Sequence, residues 1–351
     1  MAIYAVWNNK GGVGKSYLTF QVASEYARSH PNERVLVVDL CPQANSSGML
    51  LGGMPNGEVR LDELSQANPR RTIAGYIEER IVSPYVNPRV GERFVTQVSR
   101  YNPRVGQNLY LVVGDEQLEV QASRVASATN PGPQDAWRIV HTWISDLVGD
   151  IQQSWNVNNA TVFIDCNPSF TIYTELAMSA SDRLIIPFSA DGSSKRAVRA
   201  VLALLYGITR VPGAQRSEFY LNSQRFRLSV PQIYCYVGNR LTQYVTSAGA
   251  FRNVVNAIGD EIWTVWRNHP DRFATHPPGA QTPGNRTEFK RMFQYEIRDA
   301  NTASVVSSTL GIPIVSLHAG MHEVAGKRVM VNQVQVDAQI PNVQGLVAMI
   351  T

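Results

Sequence analysis

Short apolar runs recur along the chain: "AIYAVW" (2–7), "RVLVVDL" (34–40), "NLYLVVG" (108–114), "ATVFIDC" (160–166), "DRLIIPF" (182–188) and "QIYCYVG" (232–238). Each is too short for a membrane span and too uniformly apolar for a strand with one wet face, so each predicts a buried strand. Between them, "YLTFQVASEYARSH" (17–30), "DAWRIVHTWISDLVGDIQQSW" (135–155) and "KRAVRAVLALLYG" (195–207) space their apolar residues three and four apart, the period of a helix with one buried face. Val- and Ile-rich strands alternating with such helices predict an α/β fold, a mostly parallel sheet with helices on both faces. No Pro/Ser linker splits the pattern, so a single domain over residues 1–351 is expected.

Two surface excursions interrupt it. Residues 83–107 carry "NPRVG" twice, at Asn87 and Asn102, too isolated to be a solenoid repeat. Residues 268–287 open with the Pro/Gly-rich "NHPDRFATHPPGAQTPGN". The stretch "SEFYLNSQRFRLSVPQ" (217–232) reads as a small hairpin leading into the next strand. None of the three carries a functional assignment.

Composition narrows the class. At 351 residues with 44% hydrophobic and 17% charged positions, the chain can bury a sizeable core. No apolar run has the length of a membrane helix, and the N-terminus lacks a basic region and cleavage site, which points to the cytoplasm. Three cysteines without C-x-x-C spacing argue against a disulfide scaffold or a zinc ribbon. A net charge of +4 permits a polyanion partner without requiring one.

The chemistry concentrates after the first strand, in "NNKGGVGKSYLTF" (8–20). Backbone N–H groups around Gly11, Gly12 and Gly14 can converge on phosphate oxygens at a helix start, whose dipole favours an anion. Lys15 supplies a point charge for the β/γ-phosphates and the Ser16 hydroxyl can ligate Mg²⁺. A glycine turn that merely joins strand to helix would not need Gly-Lys-Ser at its end. Asn9, however, stands where a phosphate-binding loop of the form G-x-x-x-x-G-K-[ST] has its first glycine, and Lys10 follows it. Asp165 ends an apolar strand, where a carboxylate can hold Mg²⁺ through water; the bland alternative is a helix N-cap.

"NNKGGVGKS" resembles the deviant Walker A motif of the ParA/MinD family of ATPases, whose pattern is K-G-G-x-G-K-[ST]. That family dispenses with the first glycine and carries a signature lysine instead. The resemblance covers nearly the whole chain: "VLVVDLCPQANSS" (35–47) is similar to switch I and "VFIDCNPSF" (162–170) to the Walker B/switch II segment. "RLIIPFSADGSSKRAV" (183–198), "IYCYVGNRL" (233–241) and "FKRMFQYEIRDANTASVVSSTLGIPIVSL" (289–317) follow in the family's order, the last as a short strand, a helix and then "GIPI".

The resemblance implies an ATPase with ATP and Mg²⁺ as cofactors. Lys10, Gly11, Gly12, Val13, Gly14, Lys15, Ser16 and Tyr17 would hold the nucleotide, and Asn239 would read the adenine edge, though asparagine is also a common turn residue. Ser16, Asp39 and Asp165 would serve the metal. Lys10 would cross an ATP-sandwich homodimer to the partner's nucleotide, making Lys10, Lys15, Asp39 and Asp165 the catalytic set. Two positions depart from the family. Its water-orienting switch I carboxylate is replaced by Cys41, and its first switch II proline by Asn167. A thiol cannot polarise water as a carboxylate does, so slow hydrolysis is expected unless Asp39 or a switch II group takes over. Cys41 and Cys166 both end strands near this site; a redox or metal pair is conceivable, small apolar filler the plainer reading.

The C-terminal "AQIPNVQGLVAMIT" lacks the basic, bulky-apolar mixture of a membrane-surface helix, and the chain starts at its first strand with no helix-turn-helix before it. The expected role is therefore DNA partition or cargo positioning: an ATP-bound dimer coats double-stranded DNA nonspecifically until a ParB-like adaptor releases it, with no membrane involved. Candidate DNA contacts are Arg196 and Arg199, with Lys195 beside them, and Arg252, Lys290, Arg291 and Arg298, although most such charges simply face water. A metabolic ATP-dependent enzyme on the same scaffold and a non-hydrolysing, ATP-locked scaffold dimer are the alternatives.

Overall fold

The apolar runs become strands because both of their faces are covered. In the computed structural model, which describes residues 2–130, 132–156, 159–211, 213–241 and 248–350, these are β1 (Ala2–Val6), β2 (Arg34–Asp39), β4 (Leu109–Val112), β5 (Ala160–Asp165), β6 (Arg183–Phe188) and β7 (Gln232–Leu241). The edge strands β3 (Val95–Gln97) and β8 (Gln294–Arg298) complete one sheet, and β9 (Gly320–Val324) with β10 (Lys327–Val331) forms a separate hairpin. The sheet order is β3-β4-β2-β5-β1-β6-β7-β8, parallel throughout except for β3 against β4. This is the P-loop NTPase type of α/β fold.

The helices, in chain order, are α1 (Lys15–Ser29), α2 (Asn45–Leu50), α3 (Asn56–Ser65), α4 (Ile73–Val82), α5 (Gln117–Ser127), α6 (Ala136–His141) and α7 (Trp143–Trp155). They continue as α8 (Ile172–Ala180), α9 (Ser194–Tyr206), α10 (Glu218–Arg225), α11 (Ala248–Asn268), α12 (Arg286–Phe293), α13 (Thr302–Leu310) and α14 (Gln333–Met349). Alternate residues of each strand feed opposite cores. Ile3, Ala5 and Trp7 with Leu36 and Val38 pack beneath α4 to α9 and α11, whereas Tyr4, Val6, Val35 and Val37 pack with α1, α2 and α14. A third core joins α13, α14 and the β9–β10 hairpin.

Residues 217–232 are not a hairpin. Ser217 caps α10 by accepting a hydrogen bond from the Tyr220 N–H (3.1 Å), and Phe219 and Ser223, four apart, form its buried face. Phe219 meets Phe170 and Trp137, so the helical period wins over any alternation. The 83–107 excursion is more than a loop, since it contributes β3 to the sheet edge. Its two "NPR" triplets are matching turns: Asn87 and Asn102 each accept a hydrogen bond from the backbone N–H of the arginine two residues on (3.0 and 3.2 Å). The 268–287 excursion tucks Phe273 and His276 inward, with His276 stacked on Tyr234.

Two facts of register position the site. β5 lies between β2 and β1, so the loops leaving all three open at one edge of the sheet, where α/β proteins bind ligands. Asp39 and Asp165 end paired strands directly opposite each other.

Candidate nucleotide-binding site

The glycine-rich loop leaves β1 and enters α1 through Gly14, whose left-handed φ of 78° is strained for any side chain; Gly12 at 74° is alike. A Cβ built on Gly11 or Gly12 would meet nothing within 4 Å, so the loop faces open space. No side chain caps α1 and its first turn holds no acid, which leaves its N–H groups and dipole to an incoming anion. Lys15 lies folded over this turn with Nζ donating to the Lys10 carbonyl (2.9 Å). Burial lowers its pKa while the Asp165 carboxylate opposes the shift. The loop is braced from beneath: Asn8 donates to the Pro187 carbonyl (2.7 Å) and buried Asn239 donates to the Val13 carbonyl (3.0 Å). Asn239 thus spends its amide nitrogen on the loop itself.

Below the loop stands a carboxylate pair with divided tasks. Asp39 uses both oxygens on its own segment, accepting from Cys41 N (3.0 Å), Ser46 Oγ (2.8 Å), Ser47 N (3.1 Å) and Ser47 Oγ (2.7 Å). It holds the switch-like turn and α2 in place. Neither oxygen of Asp165 has a hydrogen-bonded partner among the described residues, although the Ser16 and Ser46 hydroxyls are near enough to favour its ionised form. Burial, and then the charge of Asp39, push the Asp165 carboxyl up to about 7. A buried, unspent carboxylate beside a serine hydroxyl is a hard-oxygen donor set that fits Mg²⁺, which takes few protein ligands and fills its octahedron with phosphate and water.

Because the folded-state pKa of Asp165 lies above the unfolded value, ionising it costs the nucleotide-free protein stability as pH rises from about 4 to about 7. Asp165→Asn should therefore melt higher than wild type at pH 8 without nucleotide, with the gap narrowing as pH falls toward 4. Equal thermal stability at pH 8 would contradict this.

A cleft of about 550 Å³ runs from Gly11, Gly14, Lys15 and Ser16 past Cys41, Gln43 and Cys166 to Met54, Glu58 and Thr309. Cys41 is only 5% exposed, and burial followed by the charges of Asp39 and Asp165 pushes its thiol up to about 12. Cys166 is raised likewise by burial. Both are neutral thiols at physiological pH, and no metal-ligating cluster of three His, Cys, Asp or Glu occurs among the described residues. Lys10 does not line this cleft; its ammonium pairs with Asp191 and donates to Ser189 Oγ (3.1 Å) and, weakly, Ser194 Oγ (3.4 Å). Burial would raise the Asp191 pKa, but Lys10 and the Ser189 and Ser193 hydroxyls outweigh it and hold the carboxyl well below the usual range. Sequence reasoning passed over Asn8, Ser46, Ser47 and Asp191; only the Asp-Gly-Ser-Ser turn after β6 hinted at the last.

The cationic candidates lie on one flank. α11 packs against both α9 and α12. Arg196 and Arg199 stand on α9, Arg252 on α11, Lys290 and Arg291 on α12 and Arg298 at the end of β8. Arg196, Arg252, Arg291 and Arg298 are exposed. Arg199 and Lys195 instead reach Glu261 of α11, at 3.0 and 3.8 Å, and Lys290 donates to Asn256 (3.2 Å). Among the described residues no helix is long and apolar enough to cross a membrane.

No curated protein matches the sequence. Solved structures share the fold at low identity. Apo McdA from Cyanothece is 14% identical over 89% of this chain and 91% of its own, with a TM-score of 0.57. An ATP complex of a variant of the same McdA is 16% identical over 90% and 89%, at 0.54. ParA of pNOB8 is 14% identical over 89% and 96%, at 0.50. A family model described as an AAA domain, AAA_31, matches residues 1–219, from the first strand through the phosphate loop and both carboxylates to α10. With that match over more than half its length, and with the motif order of the ParA/MinD type of P-loop ATPase, the chain belongs to the AAA_31 family.

Proposed function

We propose that residues 1–351 act as one ParA-type unit that binds ATP with Mg²⁺, dimerises around the nucleotide, and in that state binds double-stranded DNA without sequence preference until an adaptor protein of the ParB kind releases it. The observation that carries the reading is the uncapped, glycine-lined start of α1 with Lys15 folded over it and the unspent Asp165 beneath. The ATP complex of the McdA variant supports nucleotide binding on this fold. In this reading Lys10 through Tyr17 cradle the phosphates, Ser16 and Asp165 hold the metal, Asp39 braces the switch, and Asn239 supports the loop beside the base. The exposed Arg196, Arg252, Arg291 and Arg298, with Lys290, supply the DNA surface.

The test is gel filtration and DNA retention with ADP, ATP and a non-hydrolysable analogue. Retention should require ATP and fall with salt at a log–log slope of about −0.9 per phosphate neutralised. Equal retention by the nucleotide-free and ATP forms, or by neither, argues against the partition role.

Lys10 carries a second expectation. Parked on Asp191 it cannot also reach a partner's nucleotide, so dimerisation must break a half-exposed ion pair, a cost of up to about 1 kcal/mol. Lys10→Ala should keep ATP binding yet remain monomeric, while Asp191→Ala should dimerise at several-fold lower ATP concentration. Sedimentation across an ATP titration reads both. Normal dimerisation of Lys10→Ala removes the cross-dimer role. A second reading, an ATP-locked scaffold dimer, is favoured by the neutral Cys41 thiol and the fully committed oxygens of Asp39.

A further inference from the structure

The helices α9 and α11 leave between them a groove of about 650 Å³, on a different element pair from the nucleotide cleft. Its floor is apolar, formed by Ala200, Ala203, Ile208 and Val265. Arg196, Arg199 and Arg210 stand around it, and one acid, Glu261, faces them. The Glu261 carboxylate accepts from Arg199 Nη2 (3.0 Å) and from Arg210 Nε and Nη2 (3.1 and 2.6 Å), with Lys195 Nζ at 3.8 Å. Burial would raise its pKa, but the two guanidiniums prevail and keep it ionised.

That single acid does not balance the cations. Arg196 is exposed and, among the described residues, has no ion pair of its own. The buried Nε of Arg199 has no hydrogen-bond partner and keeps an N–H for an acceptor. Glu261 sets two guanidiniums in fixed positions, which lowers the entropy lost when they engage a further anion. The groove is therefore concave, apolar at its base and positive in sum, and it leaves the Arg196 guanidinium and the Nη1 side of Arg210 for carboxylates.

We propose that this groove docks an acidic, apolar peptide segment of a partner protein, its glutamate or aspartate side chains on Arg196 and Arg210 and its apolar side chains on the Ala200–Ala203–Val265 floor. Duplex DNA fits the same charges but not the same shape. Its phosphate ladder has no apolar group for the floor and would run past the fixed charge of Glu261, whereas peptide side chains alternate in chemistry and can avoid it. The proposal is independent of nucleotide chemistry, and its site borders the proposed DNA surface, with which it shares Arg196 and α11.

The probes are a fluorescein-labelled peptide Glu-Glu-Leu-Phe-Glu-Glu, its counterpart with glutamine at every glutamate, and a short DNA duplex, followed by anisotropy with the full chain in the presence of ATP and Mg²⁺. The acidic peptide should bind and the glutamine peptide should bind at least tenfold more weakly. Arg210→Glu should weaken the acidic peptide at least tenfold, and Ala203→Trp, which fills the floor, should do so without changing any charge. Binding of a fluorescent ATP analogue by both variants confirms that they fold. No binding of the acidic peptide to wild type, or binding untouched by both substitutions, overturns the proposal. Loss of duplex binding in Ala203→Trp equal to the loss of peptide binding also overturns it, by assigning the groove to nucleic acid.

Discussion

Cys41→Asp should accelerate ATP hydrolysis by roughly 10²–10⁴-fold, the range typical of a positioned general base. Cys41 lines the cleft beside Lys15 and Cys166, and its thiol, pushed up to about 12 chiefly by burial, stays neutral and donates at best a weak hydrogen bond. In the proposed reading neither neighbouring carboxylate stands in for it. Asp39 has both oxygens committed to Cys41 N, Ser46 and Ser47, and Asp165 is the group proposed above to hold the metal. A third carboxylate here would feel both acids, but Lys15 and the bound metal offset that charge in the loaded state. ATP affinity should change little, since the loop backbone and Lys15 carry it. Asp39→Asn should act differently, loosening α2 because an amide NH2 in place of one carboxylate oxygen leaves the Ser47 N–H without its acceptor, a cost of about 1–3 kcal/mol. The readout is single-turnover phosphate release with DNA present, alongside thermal melts. Wild-type release as fast as that of Cys41→Asp would mean that another group positions the water.

Removing the Lys15 ammonium should weaken ATP binding by at least about a hundredfold, the equivalent of one charge-assisted hydrogen bond to a phosphate in a poorly hydrated site. Lys15 is 6% exposed and is held by the Lys10 carbonyl at 2.9 Å, so its cation is placed before any ligand arrives. Its burial disfavours the charge and Asp165 restores it, which ties the two residues together. In Lys15→Ala, Asp165 loses its nearest cation, and its carboxyl should rise further. Titration of a fluorescent ATP analogue measures the effect, with circular dichroism to verify folding. Affinity within about threefold of wild type would remove Lys15 from the phosphate site.

The central strands of the sheet are legible in the sequence because they are buried on both faces and so read as unbroken apolar runs. β3 is harder: it is an edge strand of three residues, and "VTQ" carries no signal apart from its partner β4, whereas β8 is anticipated only through the family's order of a short strand before a helix. The 217–232 segment misleads because its buried residues are few, and the Phe170 and Trp137 rings that select a helix there lie far away in the chain. The phosphate loop can be read from sequence because its requirements are local: two left-handed glycines, an uncapped helix start and a lysine one residue later are all set by covalent neighbours.

What the loop's partners do is decided only by the tertiary structure. Asp39 and Asp165 look alike as aspartates ending apolar strands. Register sets them face to face, and the serines of α2 then saturate one and leave the other bare. Lys10 looks like a free loop cation until the turn after β6 delivers Asp191, 181 residues on, to its side. Short-range backbone geometry is written in neighbouring residues, whereas the pairing of charges depends on which strands lie adjacent, and that is settled by packing the whole sheet.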